Sequence, residues 1–139
     1  MKKLLFALFV IAILSATFSS CKKYEDGPRI SLATKKSRLC GSWKIQQYIF
    51  NGQDQTAYVA FFLGSFVWSI EKNGNYTQSG NASDAGTWVF GSGKDDAIFT
   101  SGTAGATPNT FHILRLKSKE LWLKQTQANG DTEEFHLMQ

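Results

Sequence analysis

TFHILRLKSKELWLKQTQANGDTEEFHLM, residues 110–138, decides the fold. Ser118-Lys119 leaves room only for a tight reversal between two apolar runs. Asn129-Gly130 tolerates the positive φ that both central residues of a type I′ hairpin require. Three apolar runs joined by two such turns make an antiparallel meander.

The same texture extends back toward the N-terminus. Short runs rich in aromatic and β-branched residues occupy 42–50, 65–71, 75–80, 86–91, 96–101, 110–117, 120–127 and 132–138, separated by Gly, Asn and Asp clusters. Asn73-Gly74 supplies another hairpin turn. Eight short strands in about 100 residues define an all-β domain, an up-and-down antiparallel meander. Closing it into an eight-stranded β-barrel removes both sheet edges. Apolar residues at period two assign the inner faces to Trp43, Ile45 and Ile49; Phe66, Trp68 and Ile70; His112, Leu114 and Leu116; Leu121 and Leu123; and Phe135 and Leu137. Tyr48, Phe50, Trp88 or Val89, Ile113 and Trp122 are left for an outer patch or a covering element. Gln53 to Gly64 resists a strand reading. Its Thr56, Ala57, Ala60, Phe61 and Leu63 fit a short amphipathic helix or an ordered loop, a lid after the first strand.

The N-terminus is of another kind. Lys2 and Lys3 precede an apolar run from Leu4 to Leu14, and small residues lead to Cys21. A run this short falls below the roughly 20 residues of a spanning helix and has the flanks of a signal peptide. Phe18 to Cys21 resembles a lipobox, which implies cleavage after Ser20 and a lipid anchor on Cys21 carrying palmitate-type acyl chains. Residues 1–20 are thus expected as signal, 21–38 as lipidated cysteine and linker, and 39–139 as the barrel domain. Localisation follows as a lipid anchor in a bacterial cell envelope, at the outer membrane. Six of the basic residues, Lys22, Lys23, Arg29, Lys35, Lys36 and Arg38, fall in the linker, leaving seven bases against nine acids in 39–139. A slightly acidic domain argues against nucleic acid as a partner. With Cys21 acylated, Cys40 has no disulfide partner and reads as a small buried residue.

Gly41-Ser42-Trp43, opening the first strand, resembles the Gly-x-Trp signature of the lipocalins and the wider calycin group. The segment Cys21 to Pro28 resembles the start of lipocalin-like lipoproteins of the Bacteroidota. The resemblance implies a lipocalin-like barrel in which Trp43 packs across the closed end. In that family an arginine stacks on the signature tryptophan, and Arg115 is the single arginine of 39–139.

Catalysis finds little footing. The acids fall in turns or at strand ends, His112 and His136 lie in strands separated by another strand, and no Ser or Cys is paired with a base. Neither a metal site nor a phosphate-binding or dinucleotide fingerprint is present, so no cofactor is expected. Binding is the function left. Trp43, Phe66, Trp68, Phe99, Leu114 and Leu123 are the expected wall of an internal site for a small apolar or amphipathic molecule, with Gln47, His112, Arg115 and Gln125 as polar contacts. The alternative is a barrel filled by its own aromatics, serving as a non-catalytic surface adaptor that meets another envelope protein or a glycan through loops or an outer aromatic patch.

Overall fold

A computed structural model describes residues 32–139. The expected signal peptide, Cys21 and most of the expected linker lie outside the described residues. Lys35–Leu39 forms a short helix, α1, where the linker was expected to continue. Thr34 starts it, its Oγ1 accepting from the Ser37 N–H, a side-chain cap of the usual kind. Leu39 is wholly buried, and Lys35 pairs with Asp95 at 3.4 Å. This helix thus packs against the barrel from within the stretch expected as linker.

The strands follow as β1 (Gly41–Phe50), β2 (Gln53–Asp54), a helix α2 (Thr56–Leu63), β3 (Val67–Ile70), β4 (Asn75–Ser79), β5 (Asp84–Phe90), β6 (Asp96–Ser101), β7 (Asn109–Leu116), β8 (Glu120–Thr126) and β9 (Thr132–Met138). Each strand pairs antiparallel with the next from β3 to β9, and β1 pairs with both β3 and β9. This is a closed eight-stranded up-and-down barrel, with β2 as an added short strand on β1. The expected all-β fold and the helix after the first strand are both present.

Two bulges correct the expected faces. On β1, Ile45 opposes Leu137 and Gln47 opposes His136, so Gln46 is an inserted residue. On β7, Ile113 opposes Leu123 and Arg115 opposes Trp122, so Leu114 is inserted. An extra residue reverses the parity of everything beyond it. Tyr48 therefore joins the inner row and Ile49 leaves it. On β7 the inner row is Phe111, Ile113 and Leu116, all buried, while His112 is exposed and Leu114 stands outside the row. Trp88 points in and Val89 is 59% exposed.

The end bounded by the 71–74, 91–95 and 117–119 hairpins is closed. Trp43, Leu39, Leu116, Leu121 and Leu137 are fully buried, and the Trp43 indole N–H donates to the Leu39 carbonyl at 2.9 Å. At Gly86 on β5, a Cβ would lie 2.0 Å from the Thr100 carbonyl oxygen, so the wall coils there on a residue without a side chain.

Trp43→Ala is expected to cost about 3–5 kcal/mol, read as a lower denaturant midpoint. An unchanged midpoint would show that Trp43 does not hold the closed end. Reducing agent leaves the wild-type midpoint unchanged, because Cys40 is a free thiol.

Candidate functional site

Above the closed end the interior is filled by rings. Tyr48 packs on Phe135 (centroids 5.0 Å), Phe135 on Phe111 (6.0 Å), Phe111 on Trp68 (5.6 Å) and Trp68 on Phe99 (4.6 Å), with Tyr76 edge-on to Phe99 at 5.3 Å. These tilted and edge-to-face geometries suit the ring quadrupoles. The open space lies higher, beneath the lid.

Beyond Trp43, which opposes Trp68, β1 and β3 part company, and α2 crosses the gap. Its start is fixed to β1. Asp54 accepts from the Thr56 N–H (2.9 Å), the Thr56 hydroxyl (2.6 Å) and Gln47 Nε2 (2.9 Å), and the Tyr48 N–H donates to Thr56 Oγ1. Its end is fixed to the β4–β5 hairpin. The Asn81 N–H donates to the Leu63 carbonyl and Asn81 Nδ2 to the Phe62 carbonyl, satisfying groups a helix leaves open at its C-terminus. Gly80 makes this approach possible: its φ is +149° and a Cβ would stand 2.5 Å from the Leu63 carbonyl oxygen.

Two cavities flank the lid. One, of about 280 Å³, lies between Val59 and Ala60 of α2 and Lys44, Ile45 and Val67 of the wall. The other, of about 210 Å³, opens onto Trp68, Phe111 and Phe135, with Gln78 and Asp84 at its rim. Leu63 and Phe66 line both, so these two side chains form the partition. Each space is smaller than the roughly 300 to 1,000 Å³ of a small-molecule site; joined by a swing of Phe66 they fall within that range. The Trp68 indole N–H is shielded from solvent and has no hydrogen-bond partner among the described residues, and the residue is 2% exposed. A buried donor left without an acceptor carries a desolvation cost of about 1–3 kcal/mol.

Other polar groups at the open end are already engaged. The Tyr76 hydroxyl donates to Asp84 Oδ2 at 2.5 Å and the Ser101 hydroxyl to Asp84 Oδ1 at 2.7 Å; these bonds hold the Asp84 carboxyl below its usual range. Tyr48 donates to Glu133 at 2.9 Å. Burial first, and then these carboxylates, raise both tyrosines above the ordinary phenol range.

The candidate residues divide accordingly. Phe66 and Trp68 line the mouth cavity. Phe99 and Leu123 are buried in the core beneath it, and Trp43 is at the closed end. Gln125 reaches Asn109 at the rim of the open end. Gln47, His112, Leu114 and Arg115 are not brought to the interior. Gln47 lies outside on Asp54, and His112 faces Asp96 at 2.8 Å on the outer surface. Arg115 stacks on Trp122, 3.7 Å from its ring centroid, and not on Trp43. The other face of Trp122 meets His136, stacked at 3.9 Å. Tyr48, Phe111, Asp84 and the inner residues of α2 were missed. The first two were hidden by the bulges, and the last by a helix that is apolar all round.

No family model matches the sequence, and no curated protein is similar to it at a significant level. The site therefore rests on its own geometry.

Asp54 gives this geometry a pH signature. Its hydrogen bonds from Thr56 and Gln47 lower its pKa to about 2, from 3.8, so the ionised form favours the folded, lid-anchored state. That contribution is complete above pH 4 and is lost as pH falls toward 2. Melting temperature followed between pH 6 and 2 should decline more steeply in wild type than in Asp54→Asn. Parallel curves would remove Asp54 as the lid's anchor.

Proposed function

We propose that this chain is a lipid-anchored, lipocalin-like protein of a bacterial cell envelope, which binds a small apolar or amphipathic molecule at the lid-covered mouth of its barrel. A β-barrel is compatible with ligand binding, but the filled core shifts the site upward from the expected interior. The observation that carries the reading is Trp68. Its side chain lines a mostly apolar cavity and carries a shielded N–H without a partner among the described residues. A ligand with an apolar body and one hydrogen-bond acceptor that reaches it relieves that unpaired donor. Protein–ligand contact of this kind needs no chemistry from the mouth. Asp84 and Glu133 are taken up by tyrosine hydroxyls that brace the wall, which favours a binding protein over an enzyme. The anchor rests on the sequence alone, through the apolar run that ends at Cys21.

Intrinsic tryptophan fluorescence during titration with fatty acids, retinoids and hydrophobic probes tests the site. Wild type is expected to give a saturable change that Trp68→Phe abolishes and Leu63→Trp, at the partition of the two cavities, weakens at least tenfold. No saturable response to any probe would remove the carrier reading and leave the adaptor, to be sought by crosslinking on intact cells.

Labelling cells with a fatty-acid analogue tests the anchor separately. Label is expected on wild type and not on Cys21→Ser, and equal, negligible label on both would exclude it.

A further inference from the structure

The sequence of α2, TAYVAFFL, contains no charged residue, and its two faces do different things. Val59 and Leu63 turn toward the barrel and line the lid cavity. Tyr58, Phe61 and Phe62 turn away, 62%, 79% and 53% exposed, and their rings pack on one another. We propose that this outer aromatic face seats in the surface layer of a lipid bilayer, so that the lid over the mouth lies against the membrane. The inference rests on the envelope reading above.

Three features favour lipid over a protein partner. An aromatic ring buries roughly 150–250 Å² when covered. At these exposures the trio offers on the order of 400 Å², half of the roughly 800 Å² that each side of a standard protein interface contributes. Secondly, the segments flanking the patch, Gln55, Gly64, Ser65 and residues 80–83, are uncharged. The charged groups near the helix lie on the barrel side or are already engaged: Lys44 in the wall of the lid cavity, Asp54 with Thr56 and Gln47, and Asp84 with Tyr76 and Ser101. Thirdly, a lipid anchor at the end of a tether holds a domain beside a bilayer without orienting it, and an exposed aromatic face on an uncharged helix is suited to settle at the headgroup level and set that orientation. The chain from Cys21 to Thr34 spans at most about 45 Å, long enough for an anchored domain to lay its open end on the bilayer. A ligand leaving the membrane would then meet the lid cavity first.

The test supplies the tether chemically, so it stands whether or not cells acylate Cys21. The chain from Cys21 to Gln139, carrying Cys40→Ala, is coupled through the Cys21 thiol to a maleimide lipid in phosphatidylcholine vesicles. Phe61→Trp serves as reporter, Val89→Trp on the barrel wall as control, and brominated phosphatidylcholine as quencher. The native tryptophans give the background. The Phe61→Trp emission is expected to shift to the blue and to be quenched at least twofold more than that of Val89→Trp. Equal quenching of the two, or none, would overturn the proposal. So would a blue shift that grows with protein concentration in the absence of lipid, which would assign the patch to a second copy of the chain. Failure of the fatty-acid labelling alone would remove the natural anchor and leave this result intact.

Discussion

Everything distinctive about this barrel depends on where β1 lets go of β3. The two strands share a three-residue register, Gly41 to Trp43 against Ile70 to Trp68, whereas β1 stays paired with β9 along most of its length. Backbone groups of a strand that loses its neighbour still need partners. The Tyr48 N–H finds one in Thr56, and the short β2 folds back on Ile49 and Phe50. The helix is thus placed over a gap in the wall by the same hydrogen bonds that repair it. The lid, the two cavities and the exposed aromatic face all follow from that divergence.

The polar groups of the mouth obey a related logic. Tyr48 and Tyr76 each belong to the ring-lined interior yet send their hydroxyls to carboxylates, Glu133 and Asp84, nearer the open end. Tyrosine suits this position because its body is apolar and its tip is not. Trp68 breaks the pattern. Its N–H has the same need and no acceptor within reach, whereas Trp43 and Trp88 donate to the Leu39 and Glu71 carbonyls. Of these three indoles in the barrel, the unsatisfied one is the one beside the cavity.

The fold was legible in the sequence because strand number, turn chemistry and closure are local or additive signals. Asn73-Gly74 and Asn129-Gly130 both lie in the hairpins they foretold, but not as the central pair of type I′ turns: Gly74 and Gly130 have positive φ, whereas Asn73 and Asn129 do not. The faces were less legible. A bulge has no signature in the alternation it interrupts, so Ile49 and Leu114 read as inner residues, and Tyr48 and Ile113 as outer ones. Two polar candidates were misplaced for the same reason: counted across the bulges at period two, Gln47 and His112 fall on the inner face, and the inserted residues put both outside. The lid could be placed but not oriented, since Phe61 looks as suited to a core as Leu63 does. Which one faces water is decided by Asn81 and Gly80 from a distant hairpin.

The closing seam between β1 and β9 has a consequence for the order of assembly. Lys44 opposes Met138 and Ile45 opposes Leu137, residues at nearly opposite ends of the domain. Every other wall contact closes a shorter loop, between strands adjacent in the chain or, for β1 and β3, across β2 and α2. The seam demands the longest loop, so it forms after the meander, and contacts of such separation set the pace of folding. Made from its N-terminus, the chain holds β1 unpaired on that side until the final strand arrives. Until then the domain presents two free edges, the state in which strands find the wrong partner.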